Sequence, residues 1–262
     1  AAYKHVPMLE GQAREAVRNN VLGTKTLALA ASKYSCAKFV MISTDKAVNP
    51  TSIMGTTKRI AEIFCQNLNQ RTSTHFITVR FGNVFGSAGS VVPLFQKQIA
   101  AGGPVTVTHP EIIRFFMTIP EACQLIMQAE AMGKGGEIYV LDMGEPVKIA
   151  YLAEQMIKLA GKIPGKDIEI VYTGLRPGEK LYEELFHAQE NLSATEHEKI
   201  LLAQCREVEW KLLTGVITEM EKVCAGYDES GVRELLKKLV PELEEPETAD
   251  SHKVISIHRR NV

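Results

Sequence analysis

One short segment gathers acid, base and hydroxyl side chains: Ser43, Thr44, Asp45 and Lys46 are consecutive, and Lys58 follows Met54 a few residues on. A carboxyl and an amine side by side shift each other's pKa, so Asp45 and Lys46 can divide acid and base work at one substrate. Ser43 and Thr44 add hydroxyls able to donate and accept hydrogen bonds. Met54 and Lys58 are spaced to share one face of a helix. A thioether has no proton-accepting chemistry, so Met54 cannot serve as the base. Taken alone, the same residues fit a solvated Asp45-Lys46 loop pair and an exposed helix lysine at Lys58 better, since charged pairs on loops are common.

Using these groups together requires a strand that ends near Ser43 and a helix that starts soon after. Residues 38–43 (KFVMIS) form a short apolar, β-rich run. Residues 51–70 carry Ile53, Ile60, Ile63, Phe64 and Leu68 on one helical face. Residues 8–33 have helical spacing, and residues 75–81 (HFITVRF) read as a second buried strand. This alternation predicts an α/β fold with a parallel sheet. Ligands of such sheets bind at the carboxyl ends of the strands, where Ser43 to Lys46 stand. Further along, the pattern predicts helices at 92–101, 121–132 and 147–161 and strands at 105–108, 115–119, 137–142 and 168–172. Helices are expected again at 195–204, 209–225 and 229–239, followed by a poorly ordered acidic tail from Pro241.

A second set of residues has the chemistry to bind anions. Gly82, Gly86 and Gly89 permit close backbone approach, and Ser87 and Ser90 add donors beside Asn83. Arg176, between Gly174 and Pro177-Gly178, can fork two hydrogen bonds to a diphosphate. Arg114 is either a strand-end anion contact or a snorkelling edge residue. His109, before Pro110, either faces the site or belongs to a turn.

Composition narrows the classes. A formal net charge of -1 over 262 residues gives no electrostatic reason to expect nucleic acid. No apolar run approaches the ~20 residues needed to span a bilayer, and no signal peptide is visible. Neither His5, His75, His109 and His187 nor Cys36, Cys65, Cys123, Cys205 and Cys224 have metal-ligand spacing, so no metal is expected. The cysteines read as buried free thiols of a reducing cytoplasm.

The segment from Ser43 to Lys58 resembles the extended short-chain dehydrogenase/reductases. Within them it is similar to the nucleotide-sugar 4,6-dehydratases of bacterial capsule and flagellin-glycan biosynthesis, which carry Ser/Thr-Asp-Lys and then Tyr-x-x-x-Lys. Here Met54 occupies the Tyr position, a departure shared by the membrane-anchored branch of that group. The resemblance extends through residues 1–8 (AAYKHVPM), 19–24 (NNVLGT), 80–93 (RFGNVFGSAGSVVP), 114–118 (RFFMT) and 174–180 (GLRPGEK), covering residues 1–205.

The resemblance implies a C-terminal half of a Rossmann-type sheet with the catalytic residues (1–103), a smaller α/β substrate-binding region (104–205), C-terminal helices (206–240) and a disordered tail (241–262). It implies NAD-dependent 4,6-dehydration of a UDP-N-acetylhexosamine, with UDP-N-acetylglucosamine as the leading substrate. Lys46 would be the base at C5 and Asp45 the acid for the 6-hydroxyl, with Thr44 or Ser43 bonded to the 4-hydroxyl. Ala1, Ala2, Ser43, Lys58 and Phe81 would contact NAD. Lys4, Asn83, Ser90, Val91, Arg114, Arg176 and Glu179 would contact the nucleotide sugar, and Asn20 would support the site. A homo-oligomer in the cytoplasm is implied, with transmembrane helices upstream of Ala1 in the parent protein. No G-x-G-x-x-G follows a strand, and the chain opens at Ala1 without Met. The fingerprint is therefore expected upstream, and the chain alone is expected to be an inactive fragment. The alternatives are a nucleotide-sugar 4-epimerase, a C5-inverting dehydratase and a non-catalytic nucleotide-sugar-binding fragment.

Overall fold

The computed structural model describes residues 2–186, 192–203 and 208–243. Ala1, His187, Cys205 and most of the expected tail lie outside the described residues.

The helix expected over 8–33 is divided into α1 (Val6–Glu10), α2 (Ala13–Ala16), a π-helical turn (Val17–Leu22) and α3 (Gly23–Lys33). The break falls at Gly11-Gln12, where Gln12 leaves the helical region with φ -140°. Periodicity misses it because the apolar face resumes in nearly the same phase. The π turn carries the buried Asn20, and such turns often mark functional positions.

Strand β1 (Lys38–Ile42) leads through the candidate loop into α4 (Ile53–Asn69), which returns to β2 (His75–Arg80). β1 and β2 pair in parallel, with Val40 opposite Ile77. Helix α4 is buried along almost its whole length. Its start is fixed by Ser52, whose hydroxyl accepts from Gly55 N at 3.1 Å. Then come β3 (Asn83–Val84), α5 (Val91–Ala100), β4 (Val105–Val107), β5 (Ile113–Arg114), β6 (Phe116–Met117) and α6 (Ile119–Met132). The single strand expected over 115–119 is replaced by β5 and β6, because the chain changes partners at Phe115. β6 runs parallel to β3, while β5 runs antiparallel to β8 (Val147–Lys148). Helix α6 starts before Glu121 because Thr118 caps it, accepting from Glu121 N at 3.3 Å.

The main sheet has the order β1-β2-β7-β11-β10, with β7 at Ile138–Leu141, β10 at Leu192–Ala194 and β11 at Ile200–Ala203. β2 and β7 are parallel, whereas β11 is antiparallel to both β7 and β10. The sheet is therefore mixed, and the helix expected over 195–204 is not formed. Its short apolar run Ile200-Leu201-Leu202-Ala203 fits a buried helix and a strand equally well by pattern, and the open edge of β7 decides for the strand.

Helix α7 (Ile149–Leu159) packs with α5, β4 and β9 (Ile170–Tyr172) in a smaller core around Phe95, Val105 and Ile157. β7, β10 and β11 belong to the main sheet although they lie within 104–205, so the chain passes between the two regions more than once. Helices α8 (Trp210–Ala225) and α9 (Glu229–Leu239) cover the N-terminal helices and α4 through Leu213, Met220 and Leu236. Among the described residues no helix is long and apolar enough to cross a membrane.

Candidate active site

The loop after β1 is tied to β2 by two backbone bonds, Ser43 N to Val79 O (2.8 Å) and Asp45 N to Phe81 O (3.2 Å). Asp45–Ala47 then forms one 3-10 turn, so the loop points off the carboxyl edge of the sheet. Helix α4 presses directly on this turn. A Cβ on Gly55 would collide with the Lys46 carbonyl, so only glycine fits there. From the other side Glu10 anchors the start of α4, its carboxylate accepting from Ile53 N at 2.7 Å.

Lys46 is the centre of the resulting cluster. Its Nζ donates to Asp45 Oδ1 (2.9 Å) and Asn83 Oδ1 (3.3 Å) and lies 3.3 Å from Glu183 Oε1. Thr44 Oγ1 donates to the same Asp45 oxygen at 2.8 Å. Burial pulls the Lys46 ammonium down, but Asp45 and Glu183 outweigh it and hold the amine above the usual lysine value. For Glu183 burial pushes the carboxyl up, while Lys46, Arg114 and Lys180 outweigh it and hold it below the carboxylate norm. Asp45 Oδ2 and Glu183 Oε2 are both buried and without a hydrogen-bond partner. Buried oxygens are almost always paired, so two orphans in one cluster indicate acceptors kept for something else.

Lys58, on α4, reaches back to the end of β1. Its Nζ donates to Ile42 O at 2.5 Å. Burial dominates and lowers its pKa, against the weaker pull of Glu62. The two amines are thus driven in opposite directions by their surroundings. Met54 is buried in the apolar core with Ile53 and Leu9, where it fills space. Asn20 bridges α4 to the N-terminal segment: it accepts from Tyr3 N (2.8 Å) and donates to Tyr3 O (3.0 Å) and Thr57 Oγ1 (3.1 Å).

The remaining expected residues fall into separate groups. Lys4 Nζ meets Ser87 Oγ at 3.3 Å, and Ala2 is exposed on the same N-terminal segment. Ser90 precedes Val91 at the start of α5, and its buried hydroxyl has no partner. Phe81 packs against the core around β2 and β7. Arg176 is half exposed and pairs with Glu179 at 3.1 Å. Arg114 is buried, and its guanidinium is engaged by Ile113 O (2.7 Å), Leu181 O (3.2 Å) and Lys180 O (2.7 Å), with Glu179 at 3.5 Å and Glu183 at 3.8 Å. Arg114 therefore staples the 179–183 segment to β5, while the Arg176 fork is taken by Glu179, through Nε at 3.3 Å and Nη2 at 3.1 Å.

Glu183 escaped sequence reasoning. Its one signal was an acidic pair, Glu183-Glu184, just beyond the Gly174–Lys180 motif, in a stretch with no periodicity to show which way it faces. His109 is a turn residue whose Nδ1 accepts from Glu111 N at 3.1 Å. The expectation of uniformly buried thiols is corrected: Cys36 and Cys123 are exposed, on a helix-to-strand turn and the outer face of α6, while Cys65 and Cys224 are buried. Among the described residues no group of His, Cys, Asp and Glu could hold a metal.

The family described as "Polysaccharide biosynthesis protein" matches residues 1–205. The capsular polysaccharide biosynthesis protein CapD of Staphylococcus aureus is 59% identical over 201 residues, covering 76% of this chain and 33% of CapD. The chain thus spans about a third of that relative's length. A UDP-glucose 4-epimerase of Rickettsia canadensis is 38% identical over 197 residues, covering 74% of this chain and 56% of the epimerase. Among solved structures, Pen from Bacillus thuringiensis superposes with a TM-score of 0.71 at 33% identity, covering 84% of this chain and 73% of Pen.

Proposed function

The chain belongs to the polysaccharide biosynthesis protein family, and we propose that it carries the catalytic residues of an NAD-dependent 4,6-dehydratase acting on a UDP-N-acetylhexosamine, UDP-N-acetylglucosamine first among them. The observation that supports this most is the Lys46–Asp45 contact of 2.9 Å at the end of β1. One proton moving along that bond turns an ammonium and a carboxylate into a free amine and a carboxylic acid. That neutral pair is what eliminating water across C5 and C6 of a 4-keto sugar requires. Lys46 takes the C5 proton, Asp45 gives its proton to the departing 6-hydroxyl, and the pair returns to its starting charges.

The nicotinamide end of the cofactor fits the residues present. Lys58 spends one of its N–H donors on Ile42 O and keeps others for ribose hydroxyls, beside Ser43 at the strand edge. NAD, when bound, supplies the acceptor for hydride from C4 and the donor that returns it to C6. Thr44, bonded to Asp45, would hold the 4-hydroxyl and relay its proton to water as hydride leaves C4. When hydride returns to C6, Lys46 gives its proton to C5 and the pair takes one back from water. Arg176 would offer its fork to the diphosphate by exchanging Glu179 for it, and the unpaired Ser90 hydroxyl at the start of α5 would serve the nucleotide side. We place the protein in the cytoplasm, where its UDP-sugar substrate is available, acting as a homo-oligomer.

The second reading, a 4-epimerase, rests on the Rickettsia relative. The two separate cleanly in heavy water with UDP-N-acetylglucosamine and the intact protein. A dehydratase releases a 4-keto-6-deoxy sugar that carries deuterium at C5. An epimerase releases the C4 epimer with its 6-hydroxyl retained and no deuterium at C5, which would overturn the proposal.

A further inference from the structure

Glu183 reaches the site from a segment far from Lys46 in sequence, and three features set it apart from an ordinary ion-pair partner. It is buried, with its side chain only 3% exposed. One oxygen, Oε1, stands between Lys46 Nζ (3.3 Å) and Arg114 Nε (3.8 Å). The other, Oε2, is buried without a partner. The segment that carries it is held by devices of its own: Arg114 grips the Lys180 and Leu181 carbonyls, and Lys180 Nζ donates to Val48 O at 3.0 Å. Glu184 adds a bond from Asn49 Nδ2 at 2.6 Å. These contacts lock 179–184 onto the very loop that carries Asp45 and Lys46. The bonds to Val48 and Asn49 dock the segment through groups other than the Glu183 side chain. A buried carboxylate is costly to desolvate, and the nearest cation to this one is the Lys46 ammonium, closer than Arg114.

We propose that Glu183 is a positioning residue for Lys46: it holds the amine against Asp45 and stabilises the ammonium that forms when Lys46 takes up a substrate proton. The inference rests on the dehydratase reading for its kinetic consequence, but the Lys46–Glu183 linkage can be measured without any reaction. The charged groups facing Lys46 are Asp45 on its own turn, Glu183 beside it, and Arg114 on β5, with Lys180 behind Glu183. Asp45 remains when Glu183 is neutralised, while Arg114 then opposes the ammonium unscreened. Removing the Glu183 charge therefore weakens the hold of Lys46 on its proton.

The first arm follows the Lys46 ¹³Cε resonance in lysine-labelled chain, assigned by its loss in Lys46→Arg. In Glu183→Gln it should titrate at least about one pH unit lower than in wild type, the size of shift an adjacent opposite charge produces. In Glu183→Asp it should stay near wild type. The second arm measures 4-keto product formation against pH in the intact protein with NAD and UDP-N-acetylglucosamine. The alkaline limb of kcat should move down by the same interval in Glu183→Gln, with KM within about threefold, since only the amine is affected. An unmoved resonance, or activity lost equally at every pH, would overturn the inference. If wild type makes no 4-keto product, the dehydratase reading falls while the resonance still decides on Glu183. Should Glu183→Gln fail to fold, Glu183→Ala is read in its place: a resonance lowered by the same interval supports the inference and an unmoved one overturns it.

Discussion

Two buried charge clusters adjoin α4, one along its length and one at its start, and they are built to opposite rules. In the first, Glu62 sits between α4 and β2 with both oxygens engaged by guanidinium: Oε1 accepts from Arg80 Nε at 2.8 Å, and Oε2 from Arg80 Nη2 at 2.7 Å and Arg59 Nη1 at 3.0 Å. In the second, Asp45 and Glu183 flank Lys46 and each keeps one buried oxygen unpaired. Bidentate geometry makes the first a rigid joint, since every lone pair that matters faces a planar fork. In the second, the Lys46 ammonium reaches one oxygen of each carboxylate and leaves the other oxygen of each unpaired, because a compact charge lacks the planar fork that would engage both. The difference teaches where chemistry can occur. A cluster with its acceptors used up holds the fold, and one with acceptors in reserve can receive a proton or a substrate hydroxyl.

Substitutions sharpen this contrast. Lys46→Ala in the intact protein should lower 4-keto product formation by about a thousandfold, within the range for losing a proton-transfer group, while UDP-sugar binding by calorimetry remains. Near-normal turnover would place Lys46 in the structural class. Glu62→Gln should cost about 3–5 kcal/mol in urea unfolding, because the Arg80 and Arg59 charges lose their buried partner. It should leave the alkaline limb of activity where it was, and a moved limb would break the division between the clusters.

The same pair makes a pH prediction. Burial pushes the Glu62 carboxyl up, but Arg80 and Arg59 overcome it and hold the pKa at about 2, below the ordinary 4.5. A depressed folded value means that this stabilisation is fully present above about pH 4.5 and is lost as pH falls towards about 2. Acid titration followed by circular dichroism should show a shallower loss of stability over that interval in Glu62→Gln. Arg176→Ala should weaken UDP-sugar binding by about tenfold, the worth of one charge-assisted bond, without changing the urea midpoint of this half-exposed residue. The smallest effect is expected from Met54→Leu, under about 1.5 kcal/mol and with kcat unchanged, since the thioether only fills volume. A large kinetic loss there would return Met54 to the chemistry.

Legibility followed the range of the forces involved. Helix α9 was expected at 229–239 and lies there, because Asp228 caps it locally, accepting from Gly231 N at 3.0 Å, and its apolar face is unbroken. Helix α4 was equally clear from Ile53, Ile60 and Leu68. The segment 195–204 was misread because an apolar tetrapeptide has no period long enough to separate strand from helix. Asp45 and Asn83 bond Lys46, with Thr44 on the same Asp45 oxygen, whereas Arg114, given as an anion contact or an edge residue, is a buried staple.

What the order of residues decided unaided was the chemical inventory: an acid and a base in succession at a strand end, a second amine on the helix behind them, and the caps that start that helix. These depend on neighbours within a few positions, so they are written locally. Tertiary structure decided the charge states and the company each group keeps. It brought Glu183 to Lys46, buried Lys58 at Ile42 O, and closed Glu62 between two arginines. Desolvation and Coulomb energy depend on what the folded chain packs around a group, and that is absent from any short stretch of sequence.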